Sequence, residues 1–113
     1  MEGNQMYSEV YAVLLALGED YIKRIPEDVF EYIKSQSDTN NLPFIDSDKE
    51  LGEQGLSKLA LAVLAVLRVD YLCDSEEEKN EFLKYLETNE QELKEILMNT
   101  KSTRELLKLL KKH

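Results

Sequence analysis

The chain has 113 residues and a mass of 13.1 kDa, the size of one domain. With 42% hydrophobic and 33% charged residues, four Gly and two Pro, it is not a disordered, collagen-like or turn-rich β-sandwich protein. Its net charge of −9 repels nucleic-acid phosphates and anionic membranes, so neither is an expected direct partner.

The first predicted element begins at Tyr7. Val10, Val13, Leu14, Leu17 and Tyr21 recur at spacings of three and four, which turns one helical face inward. Because that stripe runs past Gly18 to Tyr21 and Ile25, an unbroken helix of about 17 residues is preferred over a break at Gly18, at a glycine penalty of about 1 kcal/mol. Pro26 ends the run and is placed to open a second helix as its first residue, with Glu27 and Asp28 at the positive end of the helix dipole. Val29, Phe30 and Ile33 form the buried face of that helix, and the turn-favouring residues from Ser35 to Asn41 stop it.

Residues 37–53 read as an ordered loop. Leu42, Phe44, Ile45 and Leu51 are expected to hold it against the helices. Ser57 then caps the most apolar segment, residues 57–72, in which Leu59 to Leu67 are all Leu, Ala or Val. A helix apolar on every face must be surrounded, which makes this the expected central helix of the molecule. Ser75 and Glu78 have capping-box spacing before a fourth helix, whose inward residues are Phe82, Leu83, Leu86, Leu93, Ile96 and Leu97. Thr88 to Glu90 is a place where that helix could kink or divide. A last helix runs from Ser102 or Thr103 to Lys112, gathering Leu106, Leu107 and Leu110 on one side and Lys in its final turn. The predicted fold class is all-α: a single bundle-like domain over 1–113, with about five helices around the central apolar one.

The chemistry-bearing residues form no strong motif. Asp46, Asp48 and Glu50 alternate as in a calcium loop, but Leu51 stands where the turn glycine belongs and Ser57 where the bidentate Glu belongs. A solvated loop with Asx-turns is the better reading. Asp70, between Val69 and Tyr71, is the best single acid for acid-base work, with a place near the end of the central helix as its structural alternative. Cys73 has acids beside it and the chain's one His is residue 113, so a catalytic thiol is not expected; a half-buried small hydrophobe is. One Cys, one His and no Trp also exclude a disulfide framework or a zinc site of several Cys or His ligands from this chain. No phosphate-cradling glycine loop or HExxH helix occurs. No catalytic residue, metal or cofactor is therefore predicted.

Two features suggest binding. Tyr7 and Tyr11 lie one turn apart on one face and are the pair to inspect for an exposed aromatic patch, although the six Tyr residues suit core edges better. Residues 99–113 carry +4 while residues 1–98 carry −13. That basic helix can dock on its own body, on a neighbouring copy or on an acidic partner. The candidate interaction surface is thus Tyr7, Tyr11, Arg104, Leu106, Leu107, Lys108, Leu110 and Lys111.

The runs Ser8-Glu9-Val10-Tyr11, Tyr21-Ile22-Lys23-Arg24-Ile25-Pro26, Phe30-Glu31-Tyr32-Ile33-Lys34, Leu51 with Gln54-Gly55-Leu56-Ser57, and Asp70-Tyr71-Leu72-Cys73 resemble a family of small helical proteins of unknown function from Gram-positive bacteria. The likeness covers residues 7 to 98. It implies a stand-alone cytosolic helical domain and supplies no activity, cofactor or site residue; the basic tail has no counterpart in it. The N-terminal residues lack the basic and apolar regions of a signal peptide, so a cytoplasmic location with a reduced Cys73 is expected. The expected function is a non-enzymatic protein-interaction module that self-associates, as a homodimer for example, or binds a protein partner. The alternatives are an acidic regulator or nucleic-acid mimic acting on a DNA-binding protein, and a small enzyme.

Overall fold

Every regular element of the computed structural model is helical, among the described residues 5–89, 91, 93, 95 and 102–111; the side chains of 85–89 and 109–111 lie outside that description. The elements are α1 (Gln5–Leu17), α2 (Glu19–Ile22), α3 (Glu27–Gln36), a 3-10 turn (Leu51–Glu53), α4 (Lys58–Leu67) running into a π-helical turn (Arg68–Leu72), α5 (Glu76–Asn89) and α6 (Thr103–Lys111). The all-α class read from the sequence is the class observed. Contacts divide the chain into two compact units, Met1–Leu61 and Ala62–His113, and the dividing point falls inside α4.

In the first unit α1 packs on α2 and α3. All residues from Met6 to Leu14 are buried, including Ser8 and Glu9. Val29 and Ile33 are the buried face of α3, and Ile33 is wholly inaccessible. A side chain of that size removed from water contributes about 1.5–3 kcal/mol. Two contacts anchor the end of α3 to the start of α1. Ser37 Oγ lies 2.9 Å from the Tyr7 carbonyl and 2.6 Å from the Ile33 carbonyl, and the Asp38 N–H donates to Ser8 Oγ at 2.8 Å.

The expected unbroken first helix is corrected: the chain breaks at Gly18. That residue has φ 100° and ψ 171°, a conformation essentially reserved for glycine. Its N–H still donates to the Leu14 carbonyl and its own carbonyl accepts from Ile22, both at 3.2 Å, so the break leaves these groups satisfied. The stripe beyond it was misleading because it is not core: Tyr21 is exposed, Ile22 is half-buried, and only Ile25 is buried. Pro26 lies one place earlier than expected, as the N-cap of α3, its carbonyl accepting from Val29 at 3.1 Å and Phe30 at 3.0 Å.

Ser57 caps α4 as the sequence indicates, its Oγ accepting the Ala60 N–H at 3.2 Å. Ala60 and Ala62 to Leu67 are buried, but Leu59 is 45% exposed in the first turn, so this helix is not surrounded on every face. The α-helical hydrogen bonding widens after Leu67, and the Cys73 N–H reaches back to the Arg68 carbonyl at 2.7 Å to close the π-helical turn. Ser75 Oγ accepts the Glu78 N–H at 3.2 Å, while the Glu78 carboxylate returns to the Asp74 N–H at 3.2 Å, a capping box displaced by one residue on its return leg. Ser102 caps α6, accepting the Glu105 N–H at 3.1 Å. Leu93 is buried; Thr88 and Asn89 continue α5, while Glu90 and the inward placement expected of Leu86, Ile96 and Leu97 lie outside the described residues.

Candidate functional site

The first unit carries an open cleft of about 700 Å³. Its walls come from Gln5, Ser8 and Glu9 of α1 and from Asp38, Asn41, Leu42 and Pro43 of the segment after α3. The position of these residues follows from local sequence. Ser37 and Asp38 end α3 and hydrogen-bond back to α1, which turns the following residues across the N-terminal half of that helix. Asp38 Oδ1 then accepts the Asn40 N–H at 3.2 Å in an Asx-turn, and the Asn41 N–H closes on the Asp38 carbonyl at 3.0 Å.

Glu9 is the unusual group in the cleft. It is 6% exposed, and its two carboxylate oxygens share one donor, the Ser57 N–H, at 3.2 and 3.4 Å. That N–H belongs to the N-cap residue of α4, so the carboxylate lies where the helix's amide dipoles favour negative charge. A carboxylate offers about four acceptor positions, so a single N–H leaves most of this one's capacity unused.

Downstream, the loop is internally braced. The Asp48 N–H donates to Asp46 Oδ1 at 3.0 Å, the Asx-turn contact anticipated there, and the Lys49 N–H donates to the Asp46 carbonyl at 3.1 Å. Gln54 closes the loop on itself. Its Nε2 donates to the Asp46 carbonyl at 2.6 Å and the Lys49 carbonyl at 3.2 Å, and its Oε1 accepts the Asp46 N–H at 3.2 Å. Leu42, Ile45 and Leu51 are half-buried, as an adhering loop requires. Phe44 corrects that expectation: it is 87% exposed.

In the second unit Asp70 is an organising residue. Its Oδ2 accepts both the Thr103 N–H at 2.9 Å and the Thr103 hydroxyl at 3.0 Å, and Thr103 is completely buried. The acid singled out from sequence therefore holds the first turn of α6. Nearby, Arg68 Nη2 donates to Glu78 Oε1 at 2.7 Å and the guanidinium lies 5.0 Å from the Phe82 ring centroid, while its Nε is buried without a partner. Cys73 is half-buried. Burial pushes its thiol up, Arg68 opposes that and Glu78 adds to it, which favours the thiol over the thiolate.

The other residues singled out from sequence are distributed as follows. Tyr7 and Tyr11 are buried, so they form no exposed aromatic patch; Tyr7 meets Tyr32 edge-on with centroids 5.5 Å apart, and Tyr11 lies 5.8 Å from Phe30. Leu106 and Leu107 are also buried, while Arg104 and Lys108 are exposed on α6; the side chains of Leu110 and Lys111 lie outside the description. Tyr7, Tyr11, Leu106 and Leu107 thus withdraw from the candidate surface, because in a short chain the large apolar groups are needed for the core. Glu9, Phe44 and Gln54 were missed. The signal for Glu9 was available, since it is an acid set between Tyr7 and Tyr11 in the first predicted helix.

Among the described residues no group of three or more His, Cys, Asp or Glu is placed to hold a metal ion, and no helix is long and apolar enough to cross a membrane. No protein-family model, curated protein or solved structure matches the chain.

Proposed function

We propose that this chain is a non-enzymatic, cytoplasmic protein-interaction module whose docking element is the braced loop that displays Phe44. The observation that carries the reading is the 87% exposure of that ring. Leaving a Phe in water forgoes about 1.5–3 kcal/mol of burial, and the three hydrogen bonds of Gln54 hold the Asp46 to Lys49 turn that immediately follows it. A ring displayed beside an ordered turn loses little further freedom on docking, which favours its use as an anchor.

Asp46, Asp48, Glu50 and Glu53 follow Phe44 closely. A partner therefore presents an apolar socket rimmed by basic groups. A second copy of the chain qualifies through its exposed Arg104 and Lys108, and a basic DNA-binding protein qualifies as well.

A photo-reactive phenylalanine analogue at position 44 tests this in cells. The expected result is a discrete cross-linked species, at twice the 13.1 kDa chain mass if the partner is another copy. The same analogue at Glu31, exposed on α3, should give none. Equal cross-linking at both positions, or none at 44, overturns the proposal.

A further inference from the structure

We infer that the Glu9 cleft is a binding site for an organic cation: an alkylammonium or guanidinium group carried on a short apolar stem. The argument begins with the cost of Glu9. A carboxylate removed from water is stable only when its acceptor positions are filled or a counter-charge lies near. Glu9 is more than nine-tenths buried, yet one backbone N–H is its hydrogen-bond donor among the described residues. Glu9 is also one of the residues that line the cleft, and the guest's donor is assigned to its carboxylate.

The remaining walls define the chemistry of the guest. Asp38 contributes a second carboxylate, Gln5 and Asn41 contribute amide groups, and Leu42 and Pro43 contribute apolar surface. Among the described residues no Lys, Arg or His lines the cleft. A hard divalent ion is poorly suited, because it needs at least six oxygen ligands and, among the described residues, no group of three His, Cys, Asp or Glu is placed to hold one. An ammonium or guanidinium head suits walls that include Glu9 and Asp38, and a few methylenes suit Leu42 and Pro43. This inference does not depend on Phe44 and survives if the docking role of that ring fails.

Two sources can supply the group, a free amine or the Lys or Arg side chain of a protein, and one titration separates them. The full chain is titrated with cadaverine and agmatine in one arm, and with capped tripeptides having Lys or Arg between two Gly in the other. Amide chemical shifts are followed in 150 mM NaCl. Saturable shifts at Gln5, Ser8, Glu9, Asn41 and Ser57 are expected. Response in the first arm assigns the site to free amines, and response confined to the second assigns it to a partner's side chain.

Glu9→Gln keeps an acceptor for the Ser57 N–H and removes the charge, so it should weaken binding about tenfold or more. Should that variant fold poorly by circular dichroism, Asp38→Asn at the exposed wall provides the second reading and should also weaken binding. No shift in either arm, unchanged affinity in both variants, or equal displacement by magnesium chloride at the same ionic strength overturns the inference.

Discussion

Tyr7 shows how one side chain can be well packed and poorly satisfied. Its ring is buried edge-on against Tyr32, yet its buried hydroxyl makes no hydrogen bond of good geometry. Burial first, and then the neighbouring Tyr32, push the phenol well above its ordinary range. The unfolded chain releases this proton near pH 10 while the folded chain retains it, so the unfolded state binds fewer protons above that value. The stabilisation is fully present below pH 10 and falls as pH rises further toward the folded value. Tyr7→Phe should therefore flatten the loss of stability above pH 10 in urea titrations, and at pH 7 it should be neutral or stabilising by up to about 1 kcal/mol. A destabilised variant with an unchanged alkaline slope would show that the hydroxyl has a partner. The Tyr residue was readable as a core-edge group, but the fate of its oxygen depends on Tyr32, a residue 25 positions away. The same limit applies to Phe44, whose apolar character is local information and whose exposure is not.

At the level of elements, legibility follows hydrogen-bond range. Ser57, Ser75 and Ser102 act within three residues of themselves, and their caps were read or bracketed from sequence. The break at Gly18 was not, because apolar spacing continued where packing did not. The π-helical turn was hidden for a related reason: Val69, Tyr71 and Leu72 satisfy an α-helical pattern as readily as the wider one. That turn carries Asp70, which fills the N-terminal donor of α6 across 33 positions of sequence. Asp70→Ala would orphan both the Thr103 N–H and its buried hydroxyl, with an expected cost of about 1–3 kcal/mol in urea unfolding and faster hydrogen exchange at the start of α6. Asp70→Asn keeps an acceptor and should cost less. Equal stability of all three proteins would remove this account of the acid.

For the whole molecule, the net charge of −9 is spread unevenly, with +4 carried by residues 99–113. Like charges oppose the compact state, and raising salt from about 0.01 to 0.15 M shortens their range from about 30 to 8 Å. The thermal midpoint should rise over that interval in calorimetry; a flat response would mean that the charges are already balanced locally. The all-α class was legible because pattern and composition agree along the chain. The two-unit division was not, since it depends on contacts far apart in sequence. Its location governs how the polypeptide tolerates being cut. Severing the chain between Leu61 and Ala62 would divide α4 into Lys58–Leu61 and Ala62–Leu67, stubs far below the about 12–15 residues at which a helix stands alone. A nick at Asn40 or Ser47 spares every helix, so fragment complementation would succeed there and fail at the boundary itself.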